Sequence, residues 1–92
     1  MIRSFRHKSL RRLYEKNEAK GLSAALVDKI ACILARLDVA THPEQMSLPG
    51  LRLHPLKGQW RGYWSVWVTG NWRIVFRFEG SDVADVDLVD YH

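Results

Sequence analysis

The chain has 92 residues, of which 47% are hydrophobic, and it carries a formal net charge of +4 and one cysteine. This length predicts a single domain over residues 1–92, and the hydrophobic fraction excludes a disordered chain. One cysteine, Cys32, excludes an internal disulfide and is expected to be a small buried hydrophobe.

Two helices are predicted in the first half of the chain, after a short edge strand over residues 1–6. The first helix runs from Lys8 to Ala19, because leucine and tyrosine recur there at helical spacing, and Gly21 is its expected stop. The second runs from a Ser23 cap to about Val39. Its apolar residues form one stripe, which must pack on a large apolar surface such as a sheet.

The second half changes to a period of two after a loop over Thr41–Gly50. Four strands are predicted there: Leu51–His54, Tyr63–Val68, Trp72–Phe78 and Val83–Val89. Short turns join the last three strands, so the sheet is predicted to be antiparallel. The predicted fold class is therefore α+β, with two helices packed on one face of a four- or five-stranded, mainly antiparallel sheet.

The strand Trp72–Phe78 separates the two faces of this sheet. Trp72, Ile74, Phe76 and Phe78 are predicted to face the core, and Arg73, Val75 and Arg77 to face the other way. Because the second set carries cations, that face is predicted to be available for function. Most of the four tryptophans between residues 60 and 72 are expected to pack in or around the core, and the alternative for one or two of them is a place in a binding surface.

Residues that could perform chemistry lie in three segments. These are His54 and Lys57 around a proline at a predicted strand end, Arg73 on the non-core face, and Asp90, Tyr91 and His92 after the last strand. Each one alone also fits a solvated surface position or, for Arg73, a surface ion pair. There is no glycine-rich phosphate loop, and the four histidines lack metal-site spacing, so neither a cofactor nor a metal is expected.

Charge and hydropathy indicate the partner and the compartment. The first 20 residues hold seven cations and two acids, which favours a polyanion such as nucleic acid, although a solvated helix face gives the same pattern. No apolar segment is long enough to cross a membrane, and none follows the basic amino-terminal residues as in a signal peptide. We therefore expect a cytoplasmic protein without a membrane partner.

Five segments together resemble the HigB toxins of the RelE/ParE superfamily. They are Met1–Lys8, Leu53–Gly58, Tyr63–Val66, Gly70–Ile74 and Asp90–His92. The resemblance covers nearly the whole chain and implies a RelE-like domain with helices packed on an antiparallel sheet. It also implies an endonuclease that cuts translated mRNA on the ribosome. The resemblance also implies a HigA-type helix-turn-helix antitoxin as the partner. The protein would contact operator DNA only through this antitoxin.

The residues that match the family pattern are His54, Lys57, Asn71, Arg73, Asp90, Tyr91 and His92. They suggest metal-free cleavage in which the 2′-hydroxyl of the RNA attacks the adjacent phosphate. His54, Asp90 and His92 would share the roles of base and acid, in an order that the sequence leaves open. Lys57 and Arg73 would hold the phosphate charge. Asn71 and the catalytic-site Tyr91 would contact the RNA, Tyr91 by stacking on a base.

The basic residues before and along the first helix form a second candidate surface. They are Arg6, Lys8, Arg11, Arg12 and Lys16, and we expect them to contact ribosomal RNA or else an acidic antitoxin segment. Two other functions stay open for this fold. One is a ParE-like inhibitor of DNA gyrase, and the other is a non-catalytic nucleic-acid-binding module.

Overall fold

The computed structural model describes residues 1–90, so the predicted site residues Tyr91 and His92 lie outside the described residues. Helices α1 (Lys8–Lys16) and α2 (Val27–Val39) precede strands β1 (His54–Pro55), β2 (Tyr63–Thr69), β3 (Trp72–Glu79) and β4 (Asp82–Asp90). The strands pair in the order β1-β2-β3-β4, and each neighbouring pair is antiparallel. The predicted α+β class, with two helices on an antiparallel sheet, is confirmed. Within residues 1–90, no helix is both long and apolar enough to span a membrane.

The core lies between the two helices and one face of the sheet. The helices contribute Leu10, Leu13, Ile30, Ile33, Leu34 and Leu37, and the sheet contributes Val66, Val68, Ile74, Phe76, Val83 and Val86. Burying each large aliphatic or aromatic side chain stabilises the fold by roughly 1.5–3 kcal/mol. The opposite face of β2 to β4 is turned away from the helices, and we call it the outer sheet face.

Residues 1–6 extend the sheet beyond β4. Ile2 and Phe5 form isolated parallel bridges with Val83 and Val86. The N–H of Arg6 donates to the carbonyl of Val86 at 2.8 Å, and the Phe5 ring lies 5.3 Å from that of Tyr14 on the helix side. The predicted edge strand is thus a bridged segment and not a continuous strand.

Helix α1 ends earlier than predicted, at Lys16 instead of Ala19. Asn17 adopts a left-handed φ of 55°, and its N–H donates to the carbonyls of Arg12 and Leu13. Asparagine tolerates this conformation better than most residues, so it can end a helix as glycine does. The predicted stop, Gly21, lies in a later turn.

Helix α2 begins later than predicted, at Val27 and not after a Ser23 cap. Residues 24–26 form a turn, in which the N–H of Leu26 donates to the carbonyl of Ser23 at 2.9 Å. The prediction that Cys32 is buried is wrong, because its thiol is exposed. Cys32 lies off the stripe that faces the sheet, where Ile30 and Ile33 are almost fully buried.

The first predicted strand, Leu51–His54, is largely irregular. Arg52 has a left-handed φ of 51°, which breaks the extended backbone. Within this segment, only His54, the first residue of β1, pairs with β2. Leu51 is still attached to the sheet, because its carbonyl accepts the N–H of Trp67 at 2.6 Å. The loop before it contains a 3-10 turn over Pro43–Met46, whose Met46 side chain joins the core.

Strand β3 separates the two faces as predicted, but Trp72 at its start is less buried than predicted. Ile74 and Phe76 are fully buried in the core, whereas Trp72 is 39% exposed. Trp72 begins the strand opposite Asp90, at the end of the sheet, where it borders a mainly apolar cavity of about 150 Å³. Val75 is only 2% exposed although it is absent from the core on the helix side, so the outer sheet face also has an apolar centre.

Candidate active site on the outer sheet face

Strand register arranges the outer sheet face in rows. His54 pairs with Ser65, which pairs with Val75. The next row contains Trp67 and Arg73. Because directly paired residues point to the same face of a sheet, a histidine on the edge strand and an arginine on a central strand lie in neighbouring rows.

A concavity of about 250 Å³ opens between these rows. It is lined by Arg52, His54, Leu56, Ser65 and Arg73, and we call it the His54–Arg73 concavity. Ser65 is buried at 6% exposure, whereas His54 is exposed. Because His54 is exposed and lines the concavity, its imidazole is accessible to a ligand. The concavity thus combines two guanidinium groups with one imidazole.

The β2–β3 turn holds the guanidinium of Arg73. Its Nη1 donates to the carbonyls of Gly70 at 3.1 Å and Trp72 at 3.3 Å, and Trp67 Nε1 also donates to Gly70 at 3.0 Å. The turn is two residues long, with Gly70 at a φ of 51°, which suits the first central position of a hairpin turn. The turn that presents the exposed Asn71 therefore also orients Arg73.

Arg52 reaches the concavity through its contact with Trp67. Its guanidinium carbon lies 4.6 Å from the centre of the Trp67 ring, and Lys29 Nζ lies 4.3 Å from the same ring. Such cation–π contacts contribute about 0.5–1 kcal/mol each at exposed sites and help to offset the strain of the left-handed backbone at Arg52. Alternation within residues 51–54 predicts that Arg52 shares the face of His54, but it indicates no function for it.

The other predicted site residues that the structure describes do not line the concavity. Lys57 is exposed at the cap of a 3-10 turn over Gly58–Trp60. Asp90 ends β4 opposite Trp72, in a row that alternates away from that of Arg73. The register therefore places His54 and Arg73 in neighbouring rows of the outer sheet face, whereas Asp90 alternates away from that face. The predicted roles of Tyr91 and His92 fall outside the described residues.

A polar network that was not predicted from the sequence occupies the other end of the outer sheet face. Asp85 Oδ2 accepts hydrogen bonds from Arg77 Nε at 2.7 Å and from the Tyr63 hydroxyl at 3.4 Å. The N–H of Asp85 donates to the hydroxyl oxygen of Ser4 at 2.9 Å. The hydrogen bond from Arg77 is the main reason that the pKa of Asp85 is lowered, and burial opposes it. The bonds from Arg77 to Asp85 and Glu79 raise the pKa of the guanidinium.

Beside this network, Trp60 borders a second concavity. The Trp60 and Tyr63 rings meet edge to face at 5.2 Å, and the Arg6 guanidinium carbon lies 5.8 Å from the Trp60 ring centre. With Gln59, these residues line about 340 Å³, and we call this space the Trp60 concavity. The predicted basic surface is thus divided. Arg6 lies over Trp60, whereas Lys8, Arg11, Arg12 and Lys16 are exposed on α1.

Comparisons with known proteins agree with this architecture. The family model for the RelE-like toxin of type II toxin–antitoxin system HigB matches residues 3–92. The chain is 44% identical to endoribonuclease HigB of Proteus vulgaris, over the full length of both proteins. The solved structure of a YoeB/ParE toxin from Agrobacterium tumefaciens superposes with a TM-score of 0.56 at 23% identity, covering 100% of this chain and 99% of that one, which is a likeness of fold. The chain therefore belongs to the HigB-like family of RelE-like toxins from type II toxin–antitoxin systems.

Proposed function

We propose that this chain is a ribosome-dependent endoribonuclease that cleaves mRNA and thereby inhibits translation. The observation that carries the proposal is the convergence of His54, Arg52 and Arg73 on one concavity of the outer sheet face. This combination offers a proton-transfer group beside two fixed positive charges, which suits cleavage of a phosphodiester. The full-length likeness to a protein named endoribonuclease supports the same function.

In the proposed reaction, the 2′-hydroxyl oxygen attacks the adjacent phosphorus, and the bond from phosphorus to the 5′ oxygen breaks. A base takes the 2′ proton and an acid gives a proton to the departing 5′ oxygen, which leaves a 2′,3′-cyclic phosphate and a 5′-hydroxyl. His54 is the candidate in the concavity, because imidazole can take or give a proton near neutral pH. Asp90 and His92 remain candidates for the second role.

Positive charge would stabilise the phosphate as its negative charge grows. Arg73 is already oriented by the β2–β3 turn, and a guanidinium can bind two phosphate oxygens through parallel hydrogen bonds. Arg52 adds a second guanidinium to this role, and the exposed Lys57 adds an ammonium. Because side chains supply the base, the acid and the charge, we propose that the reaction requires no metal.

The remaining predicted contacts concern recognition. Asn71 extends from the turn beside Arg73 and would hydrogen-bond to an mRNA base, while Tyr91 would stack on one. The four exposed cations of α1 would contact ribosomal RNA. A HigA-type antitoxin is the proposed neutralising partner, and any contact with operator DNA would occur through it.

Growth arrest and RNA mapping on induction test this function. We expect the wild type to stop growth and to create new mRNA 5′ ends, and His54→Ala to lose both effects. His42→Ala is the matched control, because His42 is an exposed histidine at the cap of a 3-10 turn and does not line the concavity. Arrest without new ends would favour a gyrase inhibitor. Unchanged cleavage by His54→Ala would show that the concavity is not the catalytic site.

The nucleophile is tested with ribosomes programmed with an mRNA that carries one deoxynucleotide at the mapped cut site. If the 2′-hydroxyl attacks, this single change should abolish cleavage at that position and leave binding intact. The unmodified mRNA should give a cyclic phosphate and a 5′-hydroxyl. Cleavage after the deoxynucleotide, or a 5′-phosphate product, would contradict the proposed chemistry.

A further inference from the structure

We propose that the Trp60 concavity binds an unpaired base of the same RNA strand whose phosphate occupies the His54–Arg73 concavity. The inference rests on the proposed function and adds a second subsite to it. Four side chains define this subsite: Arg6, Gln59, Trp60 and Tyr63. Gln59, Trp60 and Tyr63 have no part in the proposed cleavage reaction.

The two concavities are neighbours on one strand. Tyr63 borders the Trp60 concavity, and Ser65, two residues further along β2, is the buried residue of the other. Residues two apart on a strand share a face and lie about 7 Å apart. A single RNA strand can therefore contact both spaces without turning around an edge of the sheet.

The chemistry of the Trp60 concavity suits a nucleobase. Proteins bind unpaired bases by stacking them on aromatic rings or guanidinium planes and by hydrogen bonds to their edges. Trp60 and Tyr63 supply the rings, Arg6 supplies a guanidinium, and the exposed Gln59 amide can both donate and accept. These groups can both stack on a base and hydrogen-bond to its edge, whereas an aliphatic side chain can form no hydrogen bond with them.

The charges around the concavity also favour a polyanion. The nearby carboxylates are already paired with cations, since Arg77 binds both Asp85 and Glu79, and Arg3 lies 3.3 Å from Glu79. The guanidinium of Arg6 is directed to Trp60 and adds positive charge to the lining. An RNA backbone that passes this point therefore meets positive charge.

The subsite is also held in place before any ligand binds. The hydroxyl of Tyr63 donates to Asp85, which fixes one edge of its ring. The 3-10 turn that carries Trp60 is closed by its N–H, which donates to the carbonyl of Lys57 at 3.3 Å. Lys57 and Trp60 thus belong to one turn, so a phosphate contact and a base contact would be positioned together.

The test measures the affinity of short fluorescent RNAs made non-cleavable by 2′-O-methyl groups, with one abasic nucleotide moved along the series. For the wild type, we expect one abasic position beside the cut site to weaken binding about fivefold to a hundredfold. Trp60→Ala should weaken binding of the intact RNA similarly and should no longer respond to that position. Trp60→Phe should restore most of the affinity.

The charge in the lining is tested with a matched pair of variants. Arg6→Gln should weaken binding, whereas Arg36→Gln, which removes the same charge from the exposed surface of α2, should change it little. Thermal unfolding of every variant separates a lost contact from a lost fold. If folded Trp60→Ala binds RNA like the wild type, or if no abasic position matters, the proposal is overturned.

The base subsite and the proposed function would be contradicted by different experimental results. If His54→Ala abolishes cleavage while Trp60→Ala leaves RNA affinity and abasic sensitivity unchanged, the function stands and the subsite is wrong. If binding depends on Trp60 but the wild type cuts no mRNA, the subsite stands and the nuclease proposal is wrong. A Trp60→Ala variant with normal RNA binding that escapes a co-expressed antitoxin would identify a protein contact and overturn the subsite.

Discussion

At the residue scale, Asp38 ties the helix layer to the amino-terminal segment. Its Oδ1 accepts the Tyr14 hydroxyl at 2.5 Å and the N–H of Ile2 at 3.2 Å. The hydrogen bond to Asp38, with burial as the second cause, raises the pKa of Tyr14 to about 12. The same bond lowers the pKa of Asp38, against the effect of burial.

We expect Tyr14→Phe to lower the free energy of unfolding by about 1–2 kcal/mol at neutral pH, because Asp38 loses a donor. Since the tyrosine pKa rises on folding from 10.0 to about 12, its contribution is present below pH 10 and is lost as the pH rises towards 12. Urea unfolding over this range should therefore show a steeper loss of stability for the wild type than for the variant.

Tyr63→Phe is the control for this prediction, because the Tyr63 hydroxyl bond to Asp85 is longer, at 3.4 Å. It should cost less stability than Tyr14→Phe. If wild type and Tyr14→Phe lose stability with the same slope above pH 10, the bond to Asp38 does not couple Tyr14 ionisation to folding.

The sequence predicts only one partner of this bond. Helical spacing places Tyr14 on the apolar side of α1, but Asp38 lies 24 residues away and meets it only through the packing of α1 on α2. The contact of Arg52 with Trp67 cannot be predicted from the sequence for the same reason. Pairwise contacts between elements depend on the distances and angles of packing, which periodicity does not contain.

At the scale of elements, a bulge in β4 places Asp85 in the network on the outer sheet face. The β3–β4 register shifts between Val75 and Arg77, and Asp85 adopts a left-handed φ of 53°. The predicted strand Val83–Val89 contains the signal for this bulge. Val83 and Val86 are both buried in the core although they lie three residues apart, which breaks strict alternation. Alternation therefore predicts the strand, and the break in alternation locates the extra residue.

We expect Asp85→Ala to lower the free energy of unfolding by about 2–3 kcal/mol, because it removes the Arg77 pairing and puts alanine in a left-handed conformation. Asp85→Asn should cost about 1 kcal/mol less, since asparagine tolerates that conformation. Urea unfolding at neutral pH measures both. Equal losses for the two variants would show that backbone conformation contributes nothing to the difference.

The same variants have an expected pH dependence. The pKa of Asp85 in the folded protein is lowered from 3.8, so its stabilising contribution is present above pH 3.8 and is lost as the pH falls through the folded value. The gap in stability between wild type and Asp85→Asn should therefore close in strong acid. A gap that persists there would show that the charge of Asp85 is not its cause.

At the scale of the whole molecule, the two layers separate two charged surfaces. The helix layer exposes the cations of α1, and the outer sheet face carries both concavities. The sequence predicts these layers and the face that carries Arg73, because they follow from periodicity. The lining of the concavities was less predictable, because it depends on the left-handed Arg52 and on a 3-10 turn at Trp60.

The double reversal Lys8→Glu with Arg12→Glu tests the α1 surface, since these exposed residues lie one turn apart. We expect roughly tenfold weaker binding to ribosomes and a shallower dependence on salt, because two phosphate contacts are lost. Co-sedimentation with ribosomes over a salt series measures both effects.

Lys20→Glu with Arg36→Glu is the control, because it makes the same change in net charge at two exposed residues outside α1. Cleavage-site chemistry should be unaffected in either variant. If the α1 reversal leaves ribosome affinity intact but prevents neutralisation by the antitoxin, α1 contacts an acidic antitoxin segment instead of ribosomal RNA.

The parallel bridges between residues 1–6 and β4 also determine when the outer sheet face can be completed during synthesis. The amino-terminal segment is made first, yet its backbone partners Val83 and Val86 are among the last residues to be translated. Until they emerge, Ser4 lacks Asp85, and the segment that carries Arg6 has no strand to hold it over Trp60. The outer sheet face with its Trp60 concavity is therefore completed only after the last strand of the chain has been made.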